Sequence, residues 1–337
     1  MEDKRIKYER SVGVKELNIL YVTDEKFAPI VGVSVTSMFE NNPSEQIALT
    51  VYILTTDMGE ENRALFSKLA DRYHQNIQII DVGQQLQKIE QLNLAQYRGS
   101  AMTNLRLFFD KFIPQEVQRI LYVDADTIIC GSLEYLAELD MNEKMLAMVY
   151  DAYGDIIATE NQQDTTYYNA GVILVDCEKW REDMWRRRIV EFINCNGAQF
   201  AHPDQDIYNI LCNDEIMRLP INYNFQPVHQ LYQDEIFFNH LGKNKYYSKE
   251  EVANGRQQPI ILHMIRMFGK NPWHENNKHP FYEQYKKYKE ISYWNECPQD
   301  KNRLGILIYI EIILDKILPQ KVFFPISLVA IKACVVK

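Results

Sequence analysis

Short apolar segments alternate with helix-length stretches along much of this chain. The apolar run Asn18–Thr23 precedes a stretch with helical character at Ala28–Glu40, and Ile47–Leu54 precedes a second at Glu60–Arg72. Such runs are typical of buried strands, and strands that alternate with helices form parallel sheets joined by right-handed crossovers. The sequence therefore predicts an α/β fold with a mostly parallel, doubly wound sheet. The further predicted strands are Asn76–Asp81, Arg119–Val123, Leu146–Tyr150, Gly171–Val175 and Pro259–His263.

The composition is typical of a folded, acidic protein. The chain has 337 residues, 46% of them hydrophobic, with no enrichment of glycine or proline, so it can bury one large α/β domain or two modest ones. The formal net charge of −9 disfavours binding along a nucleic-acid backbone, and we expect no nucleic-acid partner. The cysteines form no CxxC pair and Met1–Glu16 has no apolar signal-peptide core, which favours a cytoplasmic protein with reduced thiols.

The most informative motif lies where the predicted strand Arg119–Val123 ends, in the sequence LYVDADTII. Asp124 and Asp126 are two residues apart, so both side chains project to the same side of an extended chain. Ligands of open α/β sheets bind beyond the carboxyl ends of the strands, and carboxylate oxygens suit Mn²⁺ or Mg²⁺ that also holds phosphate. Because the Asp-x-Asp pattern is common, the motif alone leaves a metal site and an acidic turn both open.

Three later segments place polar residues at the ends of strands or helices. Asn169 begins the apolar run YNAGVILV, Asp204 and Gln205 lie in the turn HPDQDI before a helix, and His263 ends a late strand ahead of Lys270. Each feature also has a purely structural explanation. A turn would account for Asn169, a helix cap for Asp204, and core packing for His263.

Together and in this order, the motifs resemble those of the family 8 glycosyltransferases. The resemblance covers about Leu17 to Trp273 and includes the opening strand with Thr23-Asp24 and the Asn-Leu-Arg-Leu stretch at Asn104–Leu107, besides the Asp-Ala-Asp, Asn-Ala-Gly and Asp-Gln-Asp motifs. These are retaining enzymes with the GT-A fold, a Rossmann-like nucleotide-sugar-binding fold, and they include lipopolysaccharide galactosyl- and glucosyltransferases and glycogenin. The resemblance implies a metal-dependent hexosyltransferase that moves galactose or glucose from a UDP-hexose to a saccharide or lipid-linked saccharide.

The resemblance also implies roles for individual residues. The metal, Mn²⁺ or Mg²⁺, would be held by Asp124, Asp126 and His263. The donor hexose would be surrounded at its reacting carbon by Asn169, Asp204 and Gln205. The uracil, ribose, sugar or diphosphate of the donor would be contacted by Val22, Asp24, Arg106 and Lys270. Two positions depart from the family pattern, because Lys26 stands where asparagine is common and Asn271 takes the place of the lysine before Pro-Trp.

Retention of configuration leaves two mechanisms open. Either the acceptor attacks from the face that the diphosphate leaves, or a carboxylate of the enzyme is glycosylated first. The family pattern puts Gln205 nearest to the reacting carbon, and an amide is a poor nucleophile, which favours attack from the same face. Asp204 is the carboxylate available for the alternative.

Other functions of the same fold are also open. A nucleotidyltransferase usually needs a glycine-rich, basic loop at its N-terminus, whereas Thr23–Pro29 contains no glycine; a hydrolase of UDP-sugars is a related alternative. A catalytically silent nucleotide-sugar-binding or scaffold protein is an alternative of another class. The presence together of Asp124, Asp126, Asn169, Gln205 and His263 argues against such a loss of activity.

The chain changes character after about residue 300. Leu304–Leu318 is almost continuously apolar apart from Glu311, Asp315 and Lys316, and Val322–Val336 is apolar again. Neither stretch reaches the roughly 20 residues of a membrane-spanning helix. We predict a catalytic domain over residues 17–275 and a C-terminal helical appendage over residues 276–337.

A helix with so wide an apolar face must bury it against the protein's own body, a partner subunit or a membrane surface. We favour peripheral contact with the inner leaflet through residues 304–336, since a lipid-linked acceptor would lie there. Basic side chains attract anionic headgroups, and the tail offers Lys316, Lys321, Lys332 and Lys337.

Overall fold

The structure is a computed structural model that describes residues 13–90, 102–154, 156–157, 166–196, 202–241, 246–275, 278–301 and 305–335. The predicted tail residues Leu304, Val336 and Lys337 lie outside the described residues, as does the side chain of Lys332. The strands are β1 (Lys15–Thr23), β2 (Ile47–Thr55), β3 (Asn76–Asp81), β4 (Arg119–Val123), β5 (Thr127–Ile129), β6 (Leu146–Tyr150), β7 (Tyr168–Asp176), β8 (Ile216–Arg218) and β9 (Ile261–His263).

The α-helices of the described residues follow the predicted alternation in the first half of the chain. Short 3₁₀ turns precede and separate some of them, including Met102–Leu107 and Ile221–Asn224. The helices are α1 (Ala28–Glu40), α2 (Glu60–Tyr73), α3 (Gly83–Glu90), α4 (Glu134–Glu138), α5 (Cys177–Trp180), α6 (Asp183–Asn196), α7 (Pro203–Leu211), α8 (Val228–Leu231), α9 (Asp234–His240), α10 (Lys249–Gln257), α11 (Tyr282–Ile291), α12 (Ile306–Ile317) and α13 (Gln320–Val335).

The main sheet has seven strands in the order β3-β2-β1-β4-β7-β6-β8. β1 is parallel to both β2 and β4, β2 is parallel to β3, and β6 is parallel to β8. Among the described strands of this sheet, only β7 runs in the opposite direction, antiparallel to β4 and β6. The predicted α/β fold with a mostly parallel sheet is therefore confirmed. The carboxyl ends of β1, β4 and β6 meet at one edge of this sheet.

The late strand β9 forms where predicted but joins a separate sheet. It pairs antiparallel with β5, with His263 opposite Thr127. β5 begins directly after the Asp-Ala-Asp motif, so the pairing holds the end of β9 against that motif. Two strands of three residues each, β5 and β8, were not predicted, because three residues are too few to produce a recognisable period.

Helices cover both faces of the main sheet, as apolar runs buried on both sides require. One core contains Val31 and Val35 of α1 together with Val51 of β2. The second, on the opposite face, contains Ile189 of α6 and Ile207 of α7. The polar ends of the strands therefore lie between two packed layers, and side chains at that edge have fixed surroundings.

The segment after residue 275 packs against two parts of the body. Trp294 lies directly on α1, where a Cβ added to Gly32 would come within 2.3 Å of its ring, and its indole N–H donates to Oδ1 of Asn62 at 2.7 Å. Phe323 and Phe324 of α13 belong to a third apolar cluster with α9, Ala152 and Ile156. The division of the chain at residue 275 stays a prediction.

Candidate active site

The Asp-Ala-Asp motif lies in the turn between β4 and β5. Two backbone hydrogen bonds fix this turn: Asp124 N–H donates to the carbonyl oxygen of Gly171 at 2.8 Å, and Met264 N–H donates to that of Asp126 at 2.7 Å. The turn is thus bound on one side to β7 and on the other to the end of β9. Because each bond involves backbone atoms, the strands fix the backbone from which the two carboxylates project.

The structure brings Asp124, Asp126 and His263 together, although His263 follows the motif by more than a hundred residues. Nε2 of His263 lies 3.3 Å from Oδ1 of Asp126 and 3.6 Å from Oδ2 of Asp124. One ligand atom from each of the three residues lies within 4.8 Å of the others. Two carboxylates and one imidazole around a common point form a set of ligands that suits a divalent cation.

The position of the His263 ring depends on the absence of a side chain at Gly171. An added Cβ at this position would lie 2.1 Å from Cε1 of the ring and 2.6 Å from Nδ1. The ring is buried, with 4% of His263 exposed, so a side chain at position 171 could be accommodated only if the ring left this place in the close-packed interior. Gly171 therefore provides the space into which His263 fits beside the two carboxylates.

A buried arginine neutralises part of the acidic charge. Arg106, in the 3₁₀ turn Met102–Leu107, donates through Nε to Oδ2 of Asp204 and through Nη1 to Oδ1 of Asp124 at 3.1 Å. Its Nη2 forms an ion pair with the same oxygen of Asp204. Nη1 also donates to the carbonyl oxygen of Ala170 at 2.7 Å. Tyr122 donates its hydroxyl to the same oxygen of Asp124. Arg106 thus ties the turn after β4 to the N-terminus of α7.

Burial and neighbouring charges shift the pKa values of Asp124, Asp126 and His263. Burial raises the pKa of Asp124, although Arg106 and His263 act against it. Burial also acts to raise the pKa of Asp126, but the neighbouring His263 outweighs it and the pKa is lowered. The charges of these three groups affect one another's pKa values. A bound cation would compete with the proton on the imidazole.

The residues predicted around the donor hexose lie next to this cluster. Gln205 accepts from Ala170 N–H through Oε1 at 2.9 Å, and Nε2 lies 3.4 Å from Oδ2 of Asp151. Asn169 donates to the same Asp151 oxygen at 2.8 Å. Asp204 is engaged by Arg106. The structure thus gathers Asn169, Asp204 and Gln205 along β7 and α7, beside Asp124, Asp126 and His263.

The remaining predicted site residues have local partners. Val22 and Asp24 lie at the carboxyl end of β1, beside β4 in the sheet, and Oδ1 of Asp24 accepts from Phe27 N–H at 2.8 Å, just before α1. Lys270 donates through Nζ to the carbonyl oxygen of Glu275 at 2.7 Å. Their contacts with a nucleotide stay predictions.

Sequence reasoning missed Asp151 and Asn224. Asp151 directly follows β6, and the rule that directed attention to the end of β4 applies equally to it. Asn224 accepts from Nδ1 of His263 at 3.0 Å and is fully buried. It lies in a short 3₁₀ turn between β8 and α8, where no strand, helix or motif in the sequence points to it.

The fold and this cluster define an α/β protein with a group of side chains that could hold a cation at the carboxyl ends of the strands, where open α/β sheets bind their ligands. The chain belongs to glycosyl transferase family 8, which matches residues 18–277. It is therefore a glycosyltransferase by family, and the match covers every predicted site residue.

Several characterised proteins are similar over much of the chain. Lipopolysaccharide 1,2-glucosyltransferase of Escherichia coli K12 is 26% identical over 291 residues, which cover 84% of this chain and 81% of that protein. General stress protein A of Bacillus subtilis is 22% identical over 288 residues, covering 83% and 95%. Glycosyltransferase GlyB of Streptococcus pneumoniae is 28% identical over 229 residues, and this chain spans about half of its length, 50%.

Solved structures support the fold. The galactosyltransferase LgtC, crystallised with donor and acceptor sugar analogues, superimposes with a TM-score of 0.66 at 20% identity, covering 82% of this chain and 96% of that one. GlyE of Streptococcus pneumoniae superimposes with a TM-score of 0.59 at 23% identity, covering 83% and 62%. The likeness establishes a GT-A-like fold with a helical C-terminal region.

Proposed function

We propose that this protein is a metal-dependent, retaining hexosyltransferase that takes galactose or glucose from a UDP-hexose. The observation that carries the proposal is the convergence of Asp124, Asp126 and His263 beside Asn169 and Gln205. The ligand set fits Mn²⁺ or Mg²⁺, because it offers two hard carboxylate oxygens and Nε2 of the His263 ring. The other ring nitrogen, Nδ1, is already hydrogen-bonded, as is usual for a histidine that binds a metal. The space at Gly171, which a Cβ would fill, supports the same fit.

The proposed chemistry follows from the charges that develop during transfer. When bound, the cation supplies a Lewis acid that neutralises the departing diphosphate. Asp124, Asp126 and His263 hold it at the edge of the sheet. Arg106 holds Asp124 and Asp204 in place. Its proposed role is therefore to orient these two carboxylates more than to contact the donor. Gln205 and Asn169 present amide groups to the hexose, where they orient the reacting carbon.

Attack from the same face is the mechanism that the contacts favour. A double displacement needs a carboxylate that is free to attack the sugar. Asp204 is held by two nitrogens of Arg106. Asp206, 1% exposed, accepts from the Tyr167 hydroxyl at 2.5 Å and from His202 N–H at 3.1 Å. Asp151 is held by hydrogen bonds from Asn169 and Gln205, and Gln205 is an amide. We therefore propose that the acceptor hydroxyl bonds to the reacting carbon while the bond from that carbon to the diphosphate oxygen breaks, and that the departing oxygen takes the proton of the hydroxyl.

A donor panel tests the proposed function. The protein is incubated with Mn²⁺ and UDP-galactose, UDP-glucose or a GDP-hexose, without acceptor, and released nucleotide is measured. We expect slow release of UDP from one UDP-hexose and none from the GDP-sugar. Binding of UDP-sugar without any release, even after candidate acceptors are added, would favour the catalytically silent alternative, and an absence of binding would contradict both.

We propose further that the acceptor is a saccharide on a lipid and that α12 and α13 bind the cytoplasmic face of an anionic membrane. Lipopolysaccharide glucosyltransferases among the relatives support a lipid-linked acceptor. Among the described residues, no helix is both long and apolar enough to cross a bilayer, so contact would be peripheral. α12 turns its carboxylates inward: Glu311 and Asp315 are half-buried, and burial raises the pKa of each.

The outer surface of this pair of helices is apolar and basic. On α12, Ile306 and Leu307 are each 77% exposed and Ile317 is 71% exposed. Lys316 and Lys321 are exposed beside them. This exposed apolar surface is flanked by lysines, and the acidic groups point away from it. Such a surface is better suited to contact with anionic lipid than to exposure to water. Further exposed apolar residues of this surface are Tyr309, Ile310, Ile313, Val322, Ile326 and Val329.

Flotation with vesicles tests this membrane contact. We expect the full-length protein to float with vesicles containing phosphatidylglycerol and the double variant Ile310→Glu/Ile313→Glu to stay at the bottom, because two charges would enter the lipid boundary. Ala64→Glu/Ser67→Glu adds the same charge on the exposed side of α2 and should float like wild type. If wild type does not float but dimerises, and the α12 variant is monomeric, the surface binds a second copy and the membrane proposal is wrong.

A further inference from the structure

We infer that Asn224 is a positioning residue for the cation site. A buried chain of hydrogen bonds, from Asp151 through Asn169 and Asn224, fixes which ring nitrogen of His263 faces the two carboxylates. The inference rests on the proposed function, because it concerns the cation that the transfer would use. The four residues are 7%, 5%, 0% and 4% exposed, so they depend on one another for hydrogen-bond partners.

The outer end of the chain fixes the orientation of Asn169. Its Oδ1 accepts from Gly171 N–H at 3.0 Å, and its Nδ2 donates to Oδ2 of Asp151 at 2.8 Å. A backbone N–H can only donate and a carboxylate only accepts, so turning the amide over would lose both bonds. Asp151 is fixed in turn, because its Oδ1 accepts from Tyr153 N–H at 2.8 Å.

Asn224 transmits this orientation to His263. Oδ1 of Asn169 also accepts from Nδ2 of Asn224 at 2.8 Å, so Oδ1 of Asn224 faces Nδ1 of His263, 3.0 Å away. An amide oxygen only accepts, so Nδ1 must carry a hydrogen. In the neutral ring the lone pair is then on Nε2, which points at Asp124 and Asp126. The chain therefore selects the tautomer that can bind a cation.

This chain also joins the two ends of the proposed site. Asp151 accepts hydrogen bonds from Asn169 and Gln205 near the sugar, whereas Asn224 contacts the histidine near the cation. Partners of this kind raise metal affinity by about 10–100-fold in other sites. Asn224 would act on the cation through His263, and the other contact of its side chain, with Asn169, fixes its orientation.

The test replaces Asn224 with leucine, which has a similar volume and no hydrogen-bonding atom. Mn²⁺ affinity of the full-length protein is measured from the electron spin resonance of free Mn²⁺, and the His263 tautomer from the ¹⁵N shifts of its ring, without metal, at a pH where the ring is neutral. We expect affinity to fall by about 10–100-fold and the ring to become a mixture of tautomers. Asn222→Leu is the matched control, because Asn222 lies on the same turn but lines a separate cavity of about 490 Å³.

Asn224→Asp keeps an acceptor for Nδ1–H, so this variant should retain one tautomer and most of the affinity. A folded leucine variant with wild-type affinity and a single tautomer would overturn the inference. If the leucine variant does not fold, the aspartate variant decides, and a mixture of tautomers in it would overturn the inference. Failure of the proposed function looks different: wild type would bind no Mn²⁺, while its ring would still hold one tautomer.

Discussion

Substituting Gly171 with alanine should abolish cation binding and sugar transfer while the protein remains folded. The added methyl group would occupy a point 2.1 Å from Cε1 of His263. Two carbon atoms that are not bonded to each other cannot lie so close, so one of them must move. The ring must turn away, and the carboxylates lose their nitrogen partner. We expect Mn²⁺ affinity, measured by titration calorimetry, to fall by more than about 100-fold, beyond the usual loss for a supporting residue.

Two controls separate this effect from a general change in the strand. Gly83→Ala meets nothing closer than the carbonyl oxygen of Thr56 at 3.5 Å and should leave affinity unchanged. If Gly171 acts only through His263, the double variant Gly171→Ala/His263→Ala should bind no more weakly than His263→Ala, since effects on one contact do not add. A Gly171→Ala protein with wild-type affinity would show that the ring has another position from which to bind.

Arg106→Met should lower the free energy of unfolding by about 3–5 kcal/mol, the usual cost of removing one member of a buried ion pair. The side chains of Arg106 and Asp204 are 7% and 4% exposed, so the carboxylate would stay buried without its cation. Asp124 would lose the same partner. The measurement is denaturant unfolding of the wild type and the variant under identical conditions.

The matched control is Arg63→Met, because Arg63 pairs with Asp81, whose side chain is 62% exposed. Loss of such a surface pair costs about 0–1 kcal/mol. Adding Asp204→Leu to Arg106→Met should recover part of the loss, since it removes one of the stranded carboxylates. Equal effects for Arg106→Met and Arg63→Met would contradict the structural role assigned to Arg106.

The sequence was sufficient to predict the helices and strands that have a long, periodic apolar pattern. The boundaries of β4 were predicted to the residue, because the Asp-Ala-Asp motif ends its apolar run. A helix forms at α1, where one was predicted, because the apolar pattern there is long. β5 and β8 have three residues each and produce no period. The pairing of β9 with β5 could not be foreseen, since it brings together segments separated by about 130 residues.

Some residues of the candidate site could likewise be predicted from the sequence and others could not. Asp124, Asp126 and His263 follow strands, so each is marked by the residues before it. Asn224 has no such mark, because its importance comes from the burial of a single amide between two other side chains. For the tail, the apolar pattern predicted the helices, but not that Glu311 and Asp315 of α12 would be half-buried while four of its isoleucines are exposed.

The proposed function depends most directly on metal-dependent release of UDP from a UDP-hexose. Nucleotide release by the full-length protein is followed with Mn²⁺, after exhaustive treatment with EDTA, and after Mn²⁺ is added back, in wild type and in Asp124→Ala and Asp126→Ala. We predict that release stops with EDTA, returns with Mn²⁺, and is absent from both variants. Release that continues at the wild-type rate in EDTA, or in either variant, would contradict a cation site at Asp124, Asp126 and His263.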